Sequence, residues 1–293
     1  MIRVFIDGSA GTTGLQLEEK LAAVEGAELL KIDDLLRKDT AARREMINKS
    51  DVTFLCLPDD AAREAMTLVK NPSTVIIDAS TAHRTHPDWA YGFPELSKSH
   101  ENAIRTSNRI AVPGCHATGF CAIVYPLLKM RKISDEKLLS CVSLTGYSGG
   151  GKAMITEYEG EDPPRGARPY ALGLHHKHLP EMKAVCGLKN EPIFQPIVAT
   201  VRQGMLVNVP LGLDAEEIWQ LFGDYYKDTK NITVMPLNDR DKVEMEALNG
   251  TDFMEVFVFG HEKHTIITAR FDNLGKGASG AALQCMKLRM GLK

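Results

Sequence analysis

The stretch of the chain best equipped for chemistry is residues 109–119, with the sequence R-I-A-V-P-G-C-H-A-T-G. The apolar run 110–112 predicts the end of a strand, the following Pro-Gly pair predicts a turn, and the residues from Cys115 onward predict a mostly apolar helix. A thiol at a helix amino terminus meets free N–H groups and the positive end of the dipole, which favour the thiolate. Free cysteine is also a common core residue, so this stretch alone leaves both a nucleophile and a core thiol open.

The second reactive group is the run H-H-K-H-L-P-E, which ends at Glu181. Pro180 suits the first turn of a helix, and Glu181 suits the helix dipole. We expect His176 and His178 to face the same side of an extended lead-in, where a nearby carboxylate orients an imidazole for acid–base work. A solvated histidine cluster is the alternative, and a metal site would need further ligands that we do not find. His116 is a poorer base, because adjacent helical side chains point apart.

A glycine-rich turn follows the first predicted strand, residues 2–6, and precedes helical spacing over residues 15–24. Glycines at 8, 11 and 14 place backbone amides where they can face a pyrophosphate at a helix amino terminus. A tight turn without a ligand is the alternative. The residues predicted to contact a dinucleotide here are Gly8, Ser9, Gly11, Thr12, Thr13 and Gly14.

Strands and helices alternate through the rest of the first third. Strands are predicted at 27–32, 52–57 and 74–78, and helices at 40–48 and 59–70, the last of them capped by Asp59. This alternation predicts right-handed βαβ units and a parallel, Rossmann-type sheet.

The edge after the second strand leaves the choice of nicotinamide cofactor open. Asp33 and Asp34 stand where an acid takes a ribose hydroxyl and favours NAD. Lys31, Arg37 and Lys38 could instead hold a 2′-phosphate, or all five could form a solvated edge.

Two polar loops provide further candidate residues. Ser80 and Arg84 leave the carboxyl end of the fourth strand, where ligands of α/β sheets bind and where a guanidinium can pair with an anion. Ser148 and Gly149 lie in a glycine-rich run that is either a ligand-binding loop or a flexible hairpin tip. Residues 157–169 predict an exposed excursion.

The remaining chain predicts an α+β domain with a mainly antiparallel sheet, whose exposed face would suit subunit contact or pack on its own helices. Strands are predicted at 196–202, 205–211, 232–235, 253–259 and 265–271, with a helix at 215–226. A final helix returns to the first domain. We therefore expect a dinucleotide-binding domain of residues 1–112 and 277–293 and a catalytic and dimerisation domain of residues 113–276.

The bulk composition excludes several classes of protein. A net charge of -3 gives no reason to expect nucleic acid or an anionic membrane as a partner. The six cysteines form no C-x-x-C pair, which argues against a zinc site or a disulfide framework. No leader precedes the first strand and no apolar run is long enough to span a membrane, so a cytoplasmic location is expected.

Together these stretches resemble the N-acetyl-gamma-glutamyl-phosphate reductases, which are related to aspartate-semialdehyde dehydrogenase. The resemblance rests on G-x-x-G-x-x-G, on P-G-C at Cys115, on H-x-H-x-P-E at His176, and on N-x-G-K-G-A-S-G-A-A from Asn273. It covers nearly the whole chain and is closest to the family's shorter variety. Two departures stand out: His116-Ala117 replaces the commoner Tyr-Pro, and Ala82-His83 replaces Asp-Phe before Arg84.

The resemblance implies a two-domain fold, NADP as cofactor, a homo-oligomer (dimer or tetramer), Cys115 as nucleophile and His176 as general base. It implies substrate contacts at Arg84, His178, Glu181, Ser148 and Gly149, and cofactor contacts at Ser80, Asn273 and Gly275. The implied reaction is reduction of N-acetyl-L-glutamyl 5-phosphate to the 5-semialdehyde through a cysteine thioester, in arginine biosynthesis. The alternatives are aspartate-semialdehyde dehydrogenase and a non-catalytic, dinucleotide-binding redox sensor.

Overall fold

A computed structural model describes residues 1–292. The chain divides into two compact units. The first unit comprises Met1–Pro113 together with the chain from Ala278 onward, and the second comprises Gly114–Gly277.

Strands occur in both units and are numbered along the chain. They are β1 Ile2–Asp7, β2 Ala27–Leu30, β3 Val52–Leu55, β4 Val75–Asp78, β5 Ala90–Tyr91, β6 Arg109–Ala111, β7 Ser140–Gly146, β8 Arg168–Pro169, β9 Ile193–Ala199, β10 Met205–Leu211, β11 Ile232–Val234, β12 Met254–His261 and β13 His264–Phe271.

The α-helices are numbered in the same way. They are α1 Thr12–Leu21, α2 Thr40–Lys49, α3 Asp59–Leu68, α4 Lys98–Thr106, α5 Cys115–Lys129, α6 Gly151–Glu159, α7 Leu179–Cys186, α8 Ala215–Tyr226 and α9 Gly280–Met290. Within residues 1–292, none of the helices is both long and apolar enough to cross a bilayer.

The first unit is built on a six-stranded parallel sheet in the order β2-β1-β3-β4-β6-β5. Successive residues of β1 point to opposite faces, so Val4 and Ile6 enter one core while Phe5 enters another. Helices α1, α4 and α9 cover the first face, and α2 and α3 cover the second. This doubly wound arrangement confirms the predicted Rossmann-type fold.

Two details of this unit differ from the sequence prediction. Helix α4 was not predicted: it is mostly polar, and Ile104 is its only fully buried residue. The predicted cap at Asp59 is wrong: Pro58 is the N-cap and makes no side-chain bond. The Asp59 carboxylate instead accepts hydrogen bonds from the amide, at 2.9 Å, and the hydroxyl of Thr81.

The second unit carries a seven-stranded sheet in the order β11-β12-β13-β10-β7-β9-β8. Strand pairs β11–β12 and β7–β9 are parallel, and the other neighbouring pairs are antiparallel. The sheet is therefore mixed but mainly antiparallel, as predicted. The β7–β9 pair is parallel because the long connection between them, which includes α6 and α7, crosses back to the same end.

The glycine-rich run of this unit is helical, which rules out the flexible hairpin tip, one of its two interpretations. Residues 147–150 form a 3₁₀ turn and α6 follows directly, so the predicted excursion begins only after Glu159. Tyr158 is the only fully buried residue of α6, and the start of the helix is rich in glycine, a poor helix former. These properties hide the helix in the sequence.

Candidate active site

The Cys115 thiol occupies the first position of α5, and extended Gly114 (φ -72°, ψ 142°) is the N-cap. The side chain is half-buried, and none of the cysteines, all within residues 1–292, forms a disulfide. Thr118 closes the first turn, because its amide (2.8 Å) and hydroxyl (3.1 Å) both donate to the Gly114 carbonyl. A Cβ at Gly277 would lie 2.9 Å from Cys115 Cβ, so glycine lets that segment pack against Cys115.

Glu181 supports the turn that precedes the thiol. It lies in the first turn of α7, is 2% exposed, and its Oε1 accepts the Gly114 amide at 2.8 Å. The two residues are 67 positions apart in the chain. The amino ends of α5 and α7 are thus joined by a buried, charge-assisted hydrogen bond.

The three histidines of this unit's site form one cluster. Ring centroids lie 4.7 Å apart for His176 and His178, 5.4 Å for His116 and His176, and 5.6 Å for His116 and His178. The lead-in to α7 is a turn and not the predicted extended segment. Within it, the His178 amide donates to His176 Nδ1 at 3.1 Å, so the neutral His176 ring carries its hydrogen on Nε2.

The sequence did not identify the partners of His116. This imidazole is 2% exposed, with Nδ1 2.7 Å from Ser143 Oγ and Nε2 2.9 Å from the Tyr170 hydroxyl. Burial, and then the charges of His176 and Lys177, hold the pKa of His116 well below its usual range. Burial, and then the Cys115 thiolate, raise the pKa of Tyr170. The only sign in the sequence that position 116 is unusual is that His-Ala replaces the commoner Tyr-Pro there.

The predicted contacts from the glycine-rich run and the C-terminal motif meet inside the second unit. Ser148 Oγ accepts from Asn273 Nδ2 at 3.0 Å, and Asn273 Oδ1 accepts the Gly204 amide at 2.9 Å. A Cβ at Gly149 would lie 3.4 Å from Asn273 Nδ2, and one at Gly275 would lie 2.0 Å from the Thr251 carbonyl oxygen. Asn273 therefore holds the 148–149 turn in place, and only glycine fits at position 275.

In the first unit, Ser80 and Arg84 both stabilise the loop after β4. Ser80 Oγ donates to Asp78 at 2.7 Å and accepts the Ala82 amide at 3.1 Å. The Arg84 guanidinium donates to the backbone carbonyls of Val112 (2.9 Å) and Ala79 (3.1 Å). Two of its donors thus bind backbone.

The glycine turn after β1 is closely packed and leads into a helix without a side-chain cap. Gly8 has a φ of +92°, and a Cβ there would lie 2.4 Å from the Cys56 carbonyl oxygen. A Cβ at Gly14 would lie 2.5 Å from the Gly8 carbonyl oxygen. Helix α1 begins at Thr12 without a side-chain cap or a first-turn acid, so its amide dipoles face a site suited to an anion. Ser9 lies in the same turn, and Thr13 lies in the first turn of α1.

After β2, the acidic and basic residues that could select between NAD and NADP differ in their bonds. Asp33 Oδ1 accepts the Leu35 amide at 2.8 Å, and Lys31 pairs with Glu18 at 2.8 Å. Arg37 and Lys38 are exposed, and neither forms an ion pair with any residue in the range 1–292.

Sequence profiles of two domains match the chain: the semialdehyde dehydrogenase NAD binding domain over residues 3–104, and the semialdehyde dehydrogenase dimerisation domain over residues 115–273. Two full-length relatives are N-acetyl-gamma-glutamyl-phosphate reductases. The one from Burkholderia lata is 41% identical and covers 98% of this chain and 96% of its own. The one from Mesorhizobium japonicum is 43% identical and covers 99% of both.

The chain belongs to the N-acetyl-gamma-glutamyl-phosphate reductase family. The family predicted from the sequence is thereby confirmed, as are the α/β fold class and the assignment as an oxidoreductase that uses a nicotinamide dinucleotide.

Solved structures of aspartate semialdehyde dehydrogenases have the same fold as this chain. Aspartate semialdehyde dehydrogenase II from Vibrio cholerae superposes with a TM-score of 0.73 at 16% identity, over 99% of both chains. The aspartate semialdehyde dehydrogenase with NADP from Candida albicans superposes with a TM-score of 0.69 at 13% identity, over 98% of both.

Proposed function

We propose that this chain reduces N-acetyl-L-glutamyl 5-phosphate to N-acetyl-L-glutamate 5-semialdehyde and phosphate, in arginine biosynthesis. The observation that carries this proposal is the identity of 41–43% over 98–99% of the chain to relatives that bear the reductase name. The aspartate semialdehyde dehydrogenases, at 13–16% identity, support the fold alone.

In the proposed mechanism, Cys115 forms and releases a covalent intermediate. Its thiolate attacks the acyl carbon of the substrate, phosphate leaves, and a thioester forms. The dinucleotide, when bound, supplies the hydride that reduces the thioester carbon. The resulting alkoxide takes a proton to give a hemithioacetal; return of that proton to its donor and cleavage of the C–S bond then release the aldehyde and the Cys115 thiolate. The amide end of α5 favours the negative charge on the sulfur and on the nearby oxygen.

His176 and His178 are the proposed proton-transfer groups. With Nδ1 accepting the His178 amide, neutral His176 presents N–H at Nε2. In that tautomer Nε2 can donate its hydrogen to the alkoxide. The same nitrogen can accept a proton from the Cys115 thiol only after it has lost that hydrogen. We assign the general acid–base role to His176 and support of the substrate to His178. Reduced turnover in His176→Asn with near-normal turnover in His178→Asn supports this order, and the reverse result exchanges the roles.

The other predicted contact residues keep their proposed roles, although each also forms hydrogen bonds within the protein. Arg84 and Ser80 are proposed as a substrate and a cofactor contact, each also bound to its own loop. Glu181 is proposed to act mainly through the Gly114 amide, and Asn273 through Ser148.

We propose NADP as the preferred dinucleotide. The glycine turn of residues 8–14 would bind the pyrophosphate, and Arg37 and Lys38 supply basic groups not already held in ion pairs. The double variant R37A/K38A tests this preference: the ratio of kcat/KM for NADPH to that for NADH should fall, whereas an unchanged ratio would refute the assignment. Lys31→Ala is the matched control, because Lys31 is paired with Glu18.

A homo-oligomer, a cytoplasmic location, and the domain limits 1–112 with 277–293 and 113–276 belong to the same proposal. Light scattering of the purified protein tests the first. Separate expression of residues 113–276 tests whether the second domain folds within those limits.

The reaction itself is tested in the oxidative direction. Purified protein is mixed with N-acetylglutamate semialdehyde and NADP, with and without phosphate, and with aspartate semialdehyde in parallel. Phosphate-dependent NADPH formation with the acetylated substrate is the expected result. Preference for aspartate semialdehyde, or dinucleotide binding without turnover, would overturn the proposal in favour of one of the two alternatives.

A further inference from the structure

We propose that Cys121 and Cys186 form a site of reversible oxidation, at which a hydroperoxide converts two neighbouring thiols into a disulfide between α5 and α7. The inference goes beyond the proposed reductase function and does not depend on it. Neither cysteine has a role in the proposed reaction, which uses the Cys115 thiol.

The two sulfur atoms are in direct contact. Cys121 lies in the middle of α5, and Cys186 is the last residue of α7, 65 positions further along the chain. Their Sγ atoms are 3.8 Å apart, and the Cys186 thiol donates to the Cys121 sulfur. A disulfide bond is about 2 Å long, so bond formation requires the sulfurs to approach by about 1.8 Å.

The end of α7 has room for that approach. Gly187 follows Cys186 in the left-handed conformation (φ 76°), and a Cβ there would meet nothing within 4 Å among residues 1–292. The middle of α5 is held in place, because the Tyr226 hydroxyl donates to the Ala122 carbonyl at 2.7 Å. The movement is therefore assigned to the end of α7, which brings Cys186 towards Cys121.

The order of the two chemical steps follows from exposure. Cys186 is 8% exposed and Cys121 is 0% exposed, so a small oxidant reaches Cys186 first. The Cys186 thiolate attacks one oxygen of the hydroperoxide and becomes a sulfenic acid, while the O–O bond breaks and the other oxygen leaves with the thiol proton.

The second step forms the disulfide. The Cys121 sulfur attacks the Cys186 sulfur, the S–O bond breaks, and the departing hydroxide takes the Cys121 proton and leaves as water. The two thiols lose two electrons in all, and the hydroperoxide gains them. A thiol reductant reverses the reaction by exchange.

The disulfide would be a second link between the two helices. Their amino ends are already joined by the hydrogen bond from the Gly114 amide to Glu181, at 2.8 Å. Cys121 and Cys186 would join the same helices about one and a half turns further along each of them. Oxidation should therefore stabilise the helix pair that carries Cys115 against unfolding.

The test starts from the full chain with Cys115→Ser, which lacks the thiol expected to oxidise most readily. This protein is treated with hydrogen peroxide in native buffer, the remaining thiols are alkylated in denaturant, and the peptides are analysed by mass spectrometry without reduction. The expected product is a pair of peptides joined through Cys121 and Cys186, which dithiothreitol separates.

Cys141 is the internal control for this experiment, because it lies in the same unit and is also 0% exposed. It should remain a thiol and be alkylated in denaturant. Absence of the joined peptides would overturn the inference. Equal amounts of joined peptides that contain Cys141 would also overturn it, because they would show that the thiols pair only after the chain unfolds.

Urea unfolding provides a second measurement. Oxidation should raise the urea midpoint by about 1 M, because the bond closes a loop that spans 65 positions. The matched control is Cys186→Ala in the same Cys115→Ser chain, treated with peroxide in the same way, since it undergoes the same methionine oxidation and cannot form the disulfide. A midpoint no higher than that of the treated control would overturn the inference.

Discussion

Two half-buried cysteines of this chain, Cys56 and Cys115, lie in contrasting surroundings. Each comes shortly after a strand of the parallel sheet, Cys56 after β3 and Cys115 after β6. Burial, followed by the negative charges of Asp78 and Asp7, raises the pKa of Cys56 to about 12. Cys115 instead begins a helix, and the residue that follows it, His116, belongs to the histidine cluster. Partial exposure is therefore common to both thiols, and neighbouring charge and helix position distinguish them.

The largest effect that would sharpen this contrast is on turnover. Cys115→Ser should lower kcat by on the order of 10⁶-fold, the usual result of removing a nucleophile, while dinucleotide binding persists. Cys56→Ser should leave kcat near the wild-type value. The assay is phosphate-dependent NADPH formation, with NADPH fluorescence titration as the binding control. Substantial activity in Cys115→Ser would show that neither thiol is required for the reaction.

The next effect is on chemical reactivity. With a pKa of about 12, Cys56 is a thiolate in only about one molecule in 10⁵ at pH 7. Iodoacetamide at neutral pH should therefore modify the Cys115 peptide and leave the Cys56 peptide unmodified. Asp78→Asn removes one of the two charges and should make Cys56 more reactive in alkaline solution. Equal labelling of both peptides at pH 7 would contradict the electrostatic account.

The sequence predicts one side of this contrast better than the other. The Pro-Gly pair before Cys115 marks the strand–turn–helix boundary, so the helix position of the thiol is local information. The glycines at 8 and 14 are equally local, because strand, tight turn and helix follow one another directly. Short-range patterns therefore predict the parallel sheet and the position of Cys115 at the start of a helix.

Long-range hydrogen bonds leave no such pattern. Tyr170 is 54 positions from His116, and Glu181 is 67 positions from Gly114. The Asp59 cap failed for the same reason, because Thr81, 22 positions away, binds the carboxylate that local preference assigns to the helix. Helices α4 and α6 were missed because each has only one fully buried residue. Tertiary contacts decide these features, and spacing along one chain does not encode them.

A smaller effect tests the support beneath Cys115. Glu181→Ala removes the buried acceptor of the Gly114 amide and should lower the free energy of unfolding by about 2–3 kcal/mol. Glu181→Gln keeps an acceptor oxygen and should lose less. Urea unfolding at pH 7 measures both variants. If alanine and glutamine lower the free energy of unfolding equally, the hydrogen bond to the Gly114 amide does not contribute to stability.

The smallest effect is the pH dependence of stability that follows from the lowered pKa of His116. In the unfolded chain this imidazole titrates near pH 6.5, whereas in the folded protein its pKa is well below that value. As the pH falls below about 6.5, the unfolded state therefore takes up a proton that the folded state does not. Wild-type stability should fall by about 1.4 kcal/mol per pH unit from this group alone, until the pH reaches the folded pKa.

His116→Gln lacks this term, because glutamine keeps polar atoms for Ser143 and Tyr170 but does not titrate. The stability difference between wild type and variant should therefore be largest at neutral pH and shrink steadily from pH 6.5 to 5.5, as urea unfolding can measure. A difference that stays constant would mean that His116 is protonated in the folded protein. In that case the residue after Cys115 would be a buried cation, and the contrast with Cys56, which interacts with two carboxylates, would include a full positive charge as well as helix position.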